Sequence, residues 1–268
     1  MEKSRSTLFD LFFALMAGFV FTFIFMVLFV LFAAVSWHEL WRQLTSPLVF
    51  SAIWISLQTS LAVVALTFLF GFPAAYILAL KNFKGKMILD TLVDMPIVLP
   101  PLVSGLALLI FFGGDSLTSR VLNTFDIHVI FTKKGIILAQ LFVASPFFIK
   151  TVKESIAAVS KDLMAASATL GASSFYTFRR VLLPLCKDGI YTGLAMTWTR
   201  ALGEFGATAM VAGCMPKQTE TMTISIYMNA MSGNLSPAVS IGLILLAFSF
   251  IVLFILKIRS GRGYEYCS

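Results

Sequence analysis

The sequence predicts an all-α, polytopic membrane protein with six transmembrane helices. Three observations carry that prediction: 59% of the 268 residues are hydrophobic, only 12% are charged, and the apolar residues gather in long stretches without charge. A soluble domain carries about 25% charged residues, roughly twice as many. Twenty-seven Phe against 13 acidic residues, with a mean hydropathy of +0.92, exclude a soluble globular enzyme, a disordered chain and a disulfide scaffold.

A bilayer core of about 30 Å needs roughly 20 apolar helical residues. Leu11–Val35 is the first such stretch, after a polar head at residues 1–10. It is too long for the apolar region of a signal peptide, and no small-residue cleavage site follows it. Trp37 and Trp41 come next, where amphipathic rings favour the membrane interface. Ala52–Leu80 is the second span, long enough to imply tilt or extension beyond the lipid. Met95–Phe112 is the third, and Pro96, Pro100 and Pro101 within it predict a kink or a broken turn. Gly135–Ile149, Gly189–Gly213 and Pro237–Leu256 complete the set. Neither an internal repeat nor a linker divides the chain, which reads as one domain at residues 11–258 with cytoplasmic ends at 1–10 and 259–268.

The net charge of +7 becomes an orientation once the 20 Lys and Arg are sorted between the spans. With the N-terminus inside, fourteen fall on the cytoplasmic side, five outside and one, Arg200, within a span. That bias places both termini in the cytoplasm and accounts for the basic balance without nucleic acid. The three Cys are widely separated and the two His, His38 and His128, lie in loops, so neither a disulfide framework nor a metal site is expected. No phosphate-binding G-x-x-x-x-G-K-[ST] loop occurs, so ATP, if it is used, is hydrolysed by another subunit.

The longest cytoplasmic connection, 153–188, contains DLMAASATLGASSFYTFRRVLLP. Its alanines leave room for close approach of another surface. Gly171 suits a left-handed helix end, and Ser173 or Ser174 suits the cap of a following helix. Phe175, Phe178, Val181 and Leu182 then share one face at helical spacing, and Pro184 ends or bends that helix before the chain re-enters the membrane. Such a helix pair fits a groove in a soluble partner or rests on lipid headgroups.

This loop resembles the EAA motif of permease subunits of ABC importers, E-A-A-x-x-x-G followed by nine residues and I-x-L-P. Gly171 is followed by nine residues and Val181-Leu182-Leu183-Pro184, Ala166 and Ser167 stand for the alanines, and Ala165 departs from the motif Glu. The resemblance implies a type I ABC importer permease architecture in a prokaryotic inner membrane. It also implies a second permease copy, an extracytoplasmic substrate-binding protein, and ABC ATPase subunits that bind ATP and magnesium while this chain binds no cofactor. It places the ATPase contact on Ala165, Ala166, Ser167, Gly171, Ala172, Phe175, Arg179, Arg180, Val181, Leu183 and Pro184. Two further segments, DTLVDMPIVLPPLVSG at 90–105 and TRALGEFGATAMVAG at 199–213, are similar to permeases for tetrahedral oxyanions. Molybdate or tungstate is the first cargo that this similarity implies, with sulfate or thiosulfate as the alternative and phosphate behind them. A stand-alone secondary anion transporter is the rival class; it often carries paired discontinuous helices, which the sequence does not display.

Within the fifth span, Arg200 and Glu204 are spaced to neutralise each other on one helix face. They read either as part of an anion path or as a structural pair near the cytoplasmic end. Gly203, Gly206, Ala207 and Ala209 offer a small-residue surface for close packing, and Thr197, Thr199 and Thr208 can line a passage. The kinked third span, with Pro100, Pro101 and Ser104, is expected beside the same path, because disturbed backbone survives in a membrane only where protein or water covers it. Asp90 and Asp94 read as stabilising the start of that helix. The outer stretch 214–236 is left open as a helix, a gate or a docking surface.

Overall fold

A computed structural model describes residues 2–114 and 116–261, and among them the regular elements are all helices. α1 (Glu2–Ala33) is followed by the short α2 (Trp37–Leu44), capped by Ser36, and by α3 (Pro47–Leu66), with Pro at its start. A π-turn at Thr67–Gly71 joins α3 to α4 (Phe72–Leu80), so that Pro47–Leu80 is one long span. α5 (Lys86–Val98) and α6 (Pro101–Phe112) come next, then α7 (Leu117–Thr124) and the central α8 (Lys133–Ala157). α9 (Lys161–Thr169), α10 (Ser174–Thr177) and a second π-turn (Phe178–Leu182) lead into α11 (Leu183–Leu202). α12 (Gly206–Ala212), α13 (Met222–Met231) and α14 (Leu235–Gly261) complete the order. Most of the expected tail, 262–268, lies outside the described residues.

The core is built around α8, whose buried residues Ile136, Ala139, Gln140, Val143, Ala144, Phe148, Val152 and Ile156 recur at helical spacing. Ile55 packs with Ile136 and Val63 with Ala144, so α3 runs parallel to α8. Thr197 donates to the Ala144 carbonyl, and a Cβ on Gly193 would lie 3.0 Å from Phe148, so α11 runs antiparallel to it. Lipid is as apolar as leucine, so membrane helices gain from close packing rather than from hydrophobic exclusion. The small residues Ala139, Ala144, Ala201 and Ala207 at these contacts fit that requirement. A second cluster joins α3, α11, α13 and α14 through Val49, Ala52, Trp198, Leu202, Met222 and Ile241.

Among the described residues four helices are long and apolar enough to cross a membrane, and a fifth span is counted if α5 and α6 are taken together. α1 carries one of the four, and its apolar stretch Phe9–Ala33 buries nothing within the protomer. The expected third span is not a single rod. α5 and α6 meet at 114° around Leu99 and Pro100, and α6 alone, at about 18 Å, is too short to cross a core of about 30 Å. The expected fifth span is divided as well: α11 ends at Leu202, Gly203–Phe205 is non-helical, and α12 adds only seven residues. α11 is long enough to cross but carries Lys187, Asp188 and Arg200.

Candidate functional site

The two breaks are packed on each other. α6 opens with Pro101 and α12 with Gly206, and a Cβ on Gly206 would lie 2.9 Å from the Pro101 Cβ and 3.2 Å from the Leu102 nitrogen. A turn further on, a Cβ on Gly105 would meet the Met210 Cβ at 2.7 Å and the Ala207 Cα at 2.8 Å. The short helices therefore run side by side in the same direction from adjacent starts, which only glycines at these positions permit. Each proline or glycine run is legible in the sequence alone, but their juxtaposition is not.

Arg200 and Glu204 meet here, with Arg200 Nη1 at 2.6 Å from Glu204 Oε2. They do not share a continuous helix face: Arg200 ends α11 and Glu204 lies in the break. The pair lies at the end of α11 away from the α9–α10 loop. Glu204 is 1% exposed, and its Oε1 accepts the Ala207 N–H at 2.9 Å. That amide belongs to the first turn of α12, where N–H groups have no partner within the helix. The Glu204 carbonyl accepts from the Thr223 hydroxyl at 2.8 Å, and the Met222 N–H donates to Ser56 Oγ at 2.8 Å, which fixes the start of α13 to the break and to α3. The open question at 214–236 is thus answered in part: α13 is a helix with Met222, Ile224 and Ser225 buried against the bundle.

The other expected path residues divide. Pro101 and Gly206 meet at the α6–α12 contact, and Ser104 in α6 and Thr208 in α12 have buried hydroxyls without a hydrogen-bond partner among the described residues. Pro100 makes the bend itself. Gly203 is exposed and packs against nothing closely, so it serves the break rather than a small-residue contact. Thr197 is buried and bonded to Ala144, and Thr199 bonds back to Ala195, so within the protomer neither lines an open passage.

Asp90 and Asp94 are not stabilisers of a helix start. They lie within α5 and face α8, where Lys153 Nζ is 2.6 Å from Asp90 and Lys150 Nζ is 3.6 Å from Asp94. No local signal announces a pair whose members are 63 residues apart. Ser56 and Thr223 carry no local signal for the same reason, since the groups they bond, the Met222 amide and the Glu204 carbonyl, lie elsewhere in the chain.

The second region is the loop between α8 and α11. Gly171 takes φ +80° and Ser173 caps α10 through the Tyr176 N–H, as the spacing predicts, and Ser160 caps α9. Ser167 Oγ and Thr177 Oγ1, 2.8 Å apart, close the hairpin. Leu163, Leu170, Phe175 and Tyr176 are exposed, as are Ala165, Ala166, Arg179 and Arg180; Ala172, Val181 and Leu183 are half-buried. The expected single apolar face is split: Phe175 points out, whereas Leu182 is 2% exposed and Phe178 packs edge-on against Phe72 and Tyr76. Nor does Pro184 end the helix. It follows the π-turn, where the Leu183 N–H reaches back to the Phe178 carbonyl, and the chain runs on into α11. A wider turn accommodates the ring and missing donor of a proline that would otherwise disrupt an α-helix.

The chain belongs to the family described as the binding-protein-dependent transport system inner membrane component, which matches residues 68–262. Among its relatives, a probable sulfate transport system permease protein of Chlorella vulgaris is 33% identical, covering 83% of this chain and 84% of that one. The sulfate transport system permease protein of Salmonella typhimurium is 32% identical, covering 85% and 82%. A probable transport system permease protein, NifC, of Clostridium pasteurianum is 36% identical over 76% of this chain and 71% of its own. Among solved structures, a bacterial ABC transporter that imports alginate superposes with a TM-score of 0.73 at 15% identity, covering 94% and 95% of the two chains. The MetNI methionine ABC transporter gives 0.64 at 18%, covering 80% and 95%. The protein is thus a multi-pass permease of the type I ABC importer fold. Two of these three relatives are named as sulfate permeases, the cargo that stands as the alternative in the sequence similarity.

Proposed function

We propose that this permease imports a tetrahedral oxyanion, sulfate first, across a prokaryotic inner membrane. Relatives named as sulfate permeases, aligned over more than four-fifths of the chain, carry this reading. Two copies enclose one path, a binding protein delivers the anion outside, and ATPase subunits that bind ATP and magnesium grip the α9–α10 loop inside. Both termini are then cytoplasmic, in keeping with the distribution of Lys and Arg. The permease forms no bond with its cargo; it presents different contacts to the anion in its inward-open and outward-open states, and ATP biases the two.

In the loop, the exposed Leu163, Leu170, Phe175 and Tyr176, flanked by Arg179 and Arg180, supply an apolar knob with a basic rim. Helix-in-groove docking uses such a surface. The experiment is ATPase stimulation in the reconstituted complex by binding protein loaded with sulfate, thiosulfate, molybdate or tungstate. Sulfate is expected to stimulate most. Stimulation by molybdate or tungstate alone would restore the other cargo, and uptake without any ATPase would favour a secondary transporter.

A further inference from the structure

We propose that Glu204 is the resident counter-ion of Arg200, a positioning residue that prevents the guanidinium from trapping the transported dianion. The inference rests on the oxyanion reading given above. It begins from the scarcity of charge: Pro47–Leu80 and Gly135–Ile149 contain none, and Gly189–Gly213 contains only Arg200 and Glu204. An unpaired guanidinium in such surroundings forms strong, charge-assisted bonds to a dianionic oxygen group. Strong binding opposes transport, since a path must let its ion leave as well as enter.

Glu204 removes that trap and is held in place to do so. One carboxylate oxygen lies 2.6 Å from Arg200 Nη1 and the other accepts the Ala207 N–H at 2.9 Å. Its own N–H bonds the Ala201 carbonyl at 3.2 Å and its carbonyl accepts the Thr223 hydroxyl. The carboxylate is 1% exposed while the Arg200 side chain is 29% exposed, so the acid is fixed inside and the cation is the accessible member. A swinging gate would show the reverse. The buried hydroxyls of Ser104 in α6 and Thr208 in α12 are neutral, and the pairing cancels the charge of Arg200 against that of Glu204.

The test uses the purified permease–ATPase complex without binding protein and equilibrium binding of radiolabelled sulfate. Glu204→Gln keeps the side chain's size and its acceptor for the Ala207 amide but frees the guanidinium. It is expected to bind sulfate at least about tenfold more tightly than wild type, the equivalent of one charge-assisted bond, with slower ATP-driven uptake. Adding Arg200→Gln should reverse both effects, which loss of a merely structural contact would not do. An assembled Glu204→Gln complex that binds sulfate as wild type does, or tight binding that survives in the double variant, overturns the proposal. If Glu204→Gln alone does not assemble, uptake decides: the double variant should outperform Arg200→Gln, in which an unpaired carboxylate repels the anion. Equal or poorer uptake by the double variant, or its failure to assemble, overturns the assignment. Wild-type uptake is measured in the same preparation with binding protein added. Its absence fails the oxyanion reading itself, whereas wild-type uptake without the gain of binding fails the counter-ion assignment alone.

Discussion

Lys153 reaches across from α8 to within 2.6 Å of Asp90 on α5, and one turn back Lys150 stands 3.6 Å from Asp94. The rungs pair ascending positions on one helix with descending positions on the other, so α5 and α8 are antiparallel where they touch. α5 carries the bend at Pro100, so these rungs hold one arm of the broken segment to the central helix.

Both rungs are partly exposed, and such pairs contribute about 0.5–1 kcal/mol each. Asp90→Asn should therefore lower the thermal midpoint of the detergent-solubilised protein only slightly, and Lys153→Met by a similar amount. The exchanged pair Asp90→Lys with Lys153→Asp should recover most of the loss. A swap that behaves no better than either single change would show that the contact is incidental.

The approach of α6 to α12 leaves no room for side chains at two positions. Gly206→Leu and Gly105→Val each drive a branched group into Pro101 or Met210, and overpacking of this kind costs about 1–3 kcal/mol or forces the helices apart. Gly203→Ala, at an exposed glycine with an ordinary negative φ, should be nearly neutral. Comparing the yield of folded protein for the three variants checks the packing directly.

The loop offers two aromatic residues three positions apart with opposite roles. Phe175→Ala should leave the permease as stable as wild type while reducing ATPase recovered with it, because the ring is 69% exposed. Phe178→Ala should instead destabilise the permease by about 2–3 kcal/mol, below the range for a fully buried ring, through loss of its contacts with Phe72 and Tyr76. Co-purification yield and thermal unfolding of the permease alone separate the two effects.

Ser56→Ala removes the acceptor for the Met222 amide in a buried setting. An unsatisfied buried N–H costs about 1–3 kcal/mol. Hydrogen exchange at the start of α13 should quicken, with little change at the far end of α3, if the bond holds α13 down.

What the sequence revealed follows from how local each signal is. Apolar length disclosed the spans, Gly171 and the capping serines disclosed the hairpin, and the proline run disclosed the bend near Pro100. Each depends on residues within a few positions of one another. The angle of that bend, the break after Leu202 and the seating of Gly206 on Pro101 depend on contacts between separate helices, and no periodicity records them. The split of Phe175 from Phe178 was hidden for a subtler reason. Helical spacing says which residues lie near one another but not which of them meets a partner, and the rings that take Phe178, Phe72 and Tyr76, belong to an earlier helix.

The two wide turns have a mechanical meaning. The π-turns at Thr67–Gly71 and Phe178–Leu182 each stand just ahead of a proline, Pro73 or Pro184, and they are bridged by the Phe72–Phe178 ring contact at 5.9 Å. A residue added to one turn of a helix is stored slack. Releasing it would rotate everything beyond the turn by about 100° and advance it by about 1.5 Å. One of the two wide turns lies between the hairpin and α11, so the place where such a release would act is the junction of the exposed loop with the bundle.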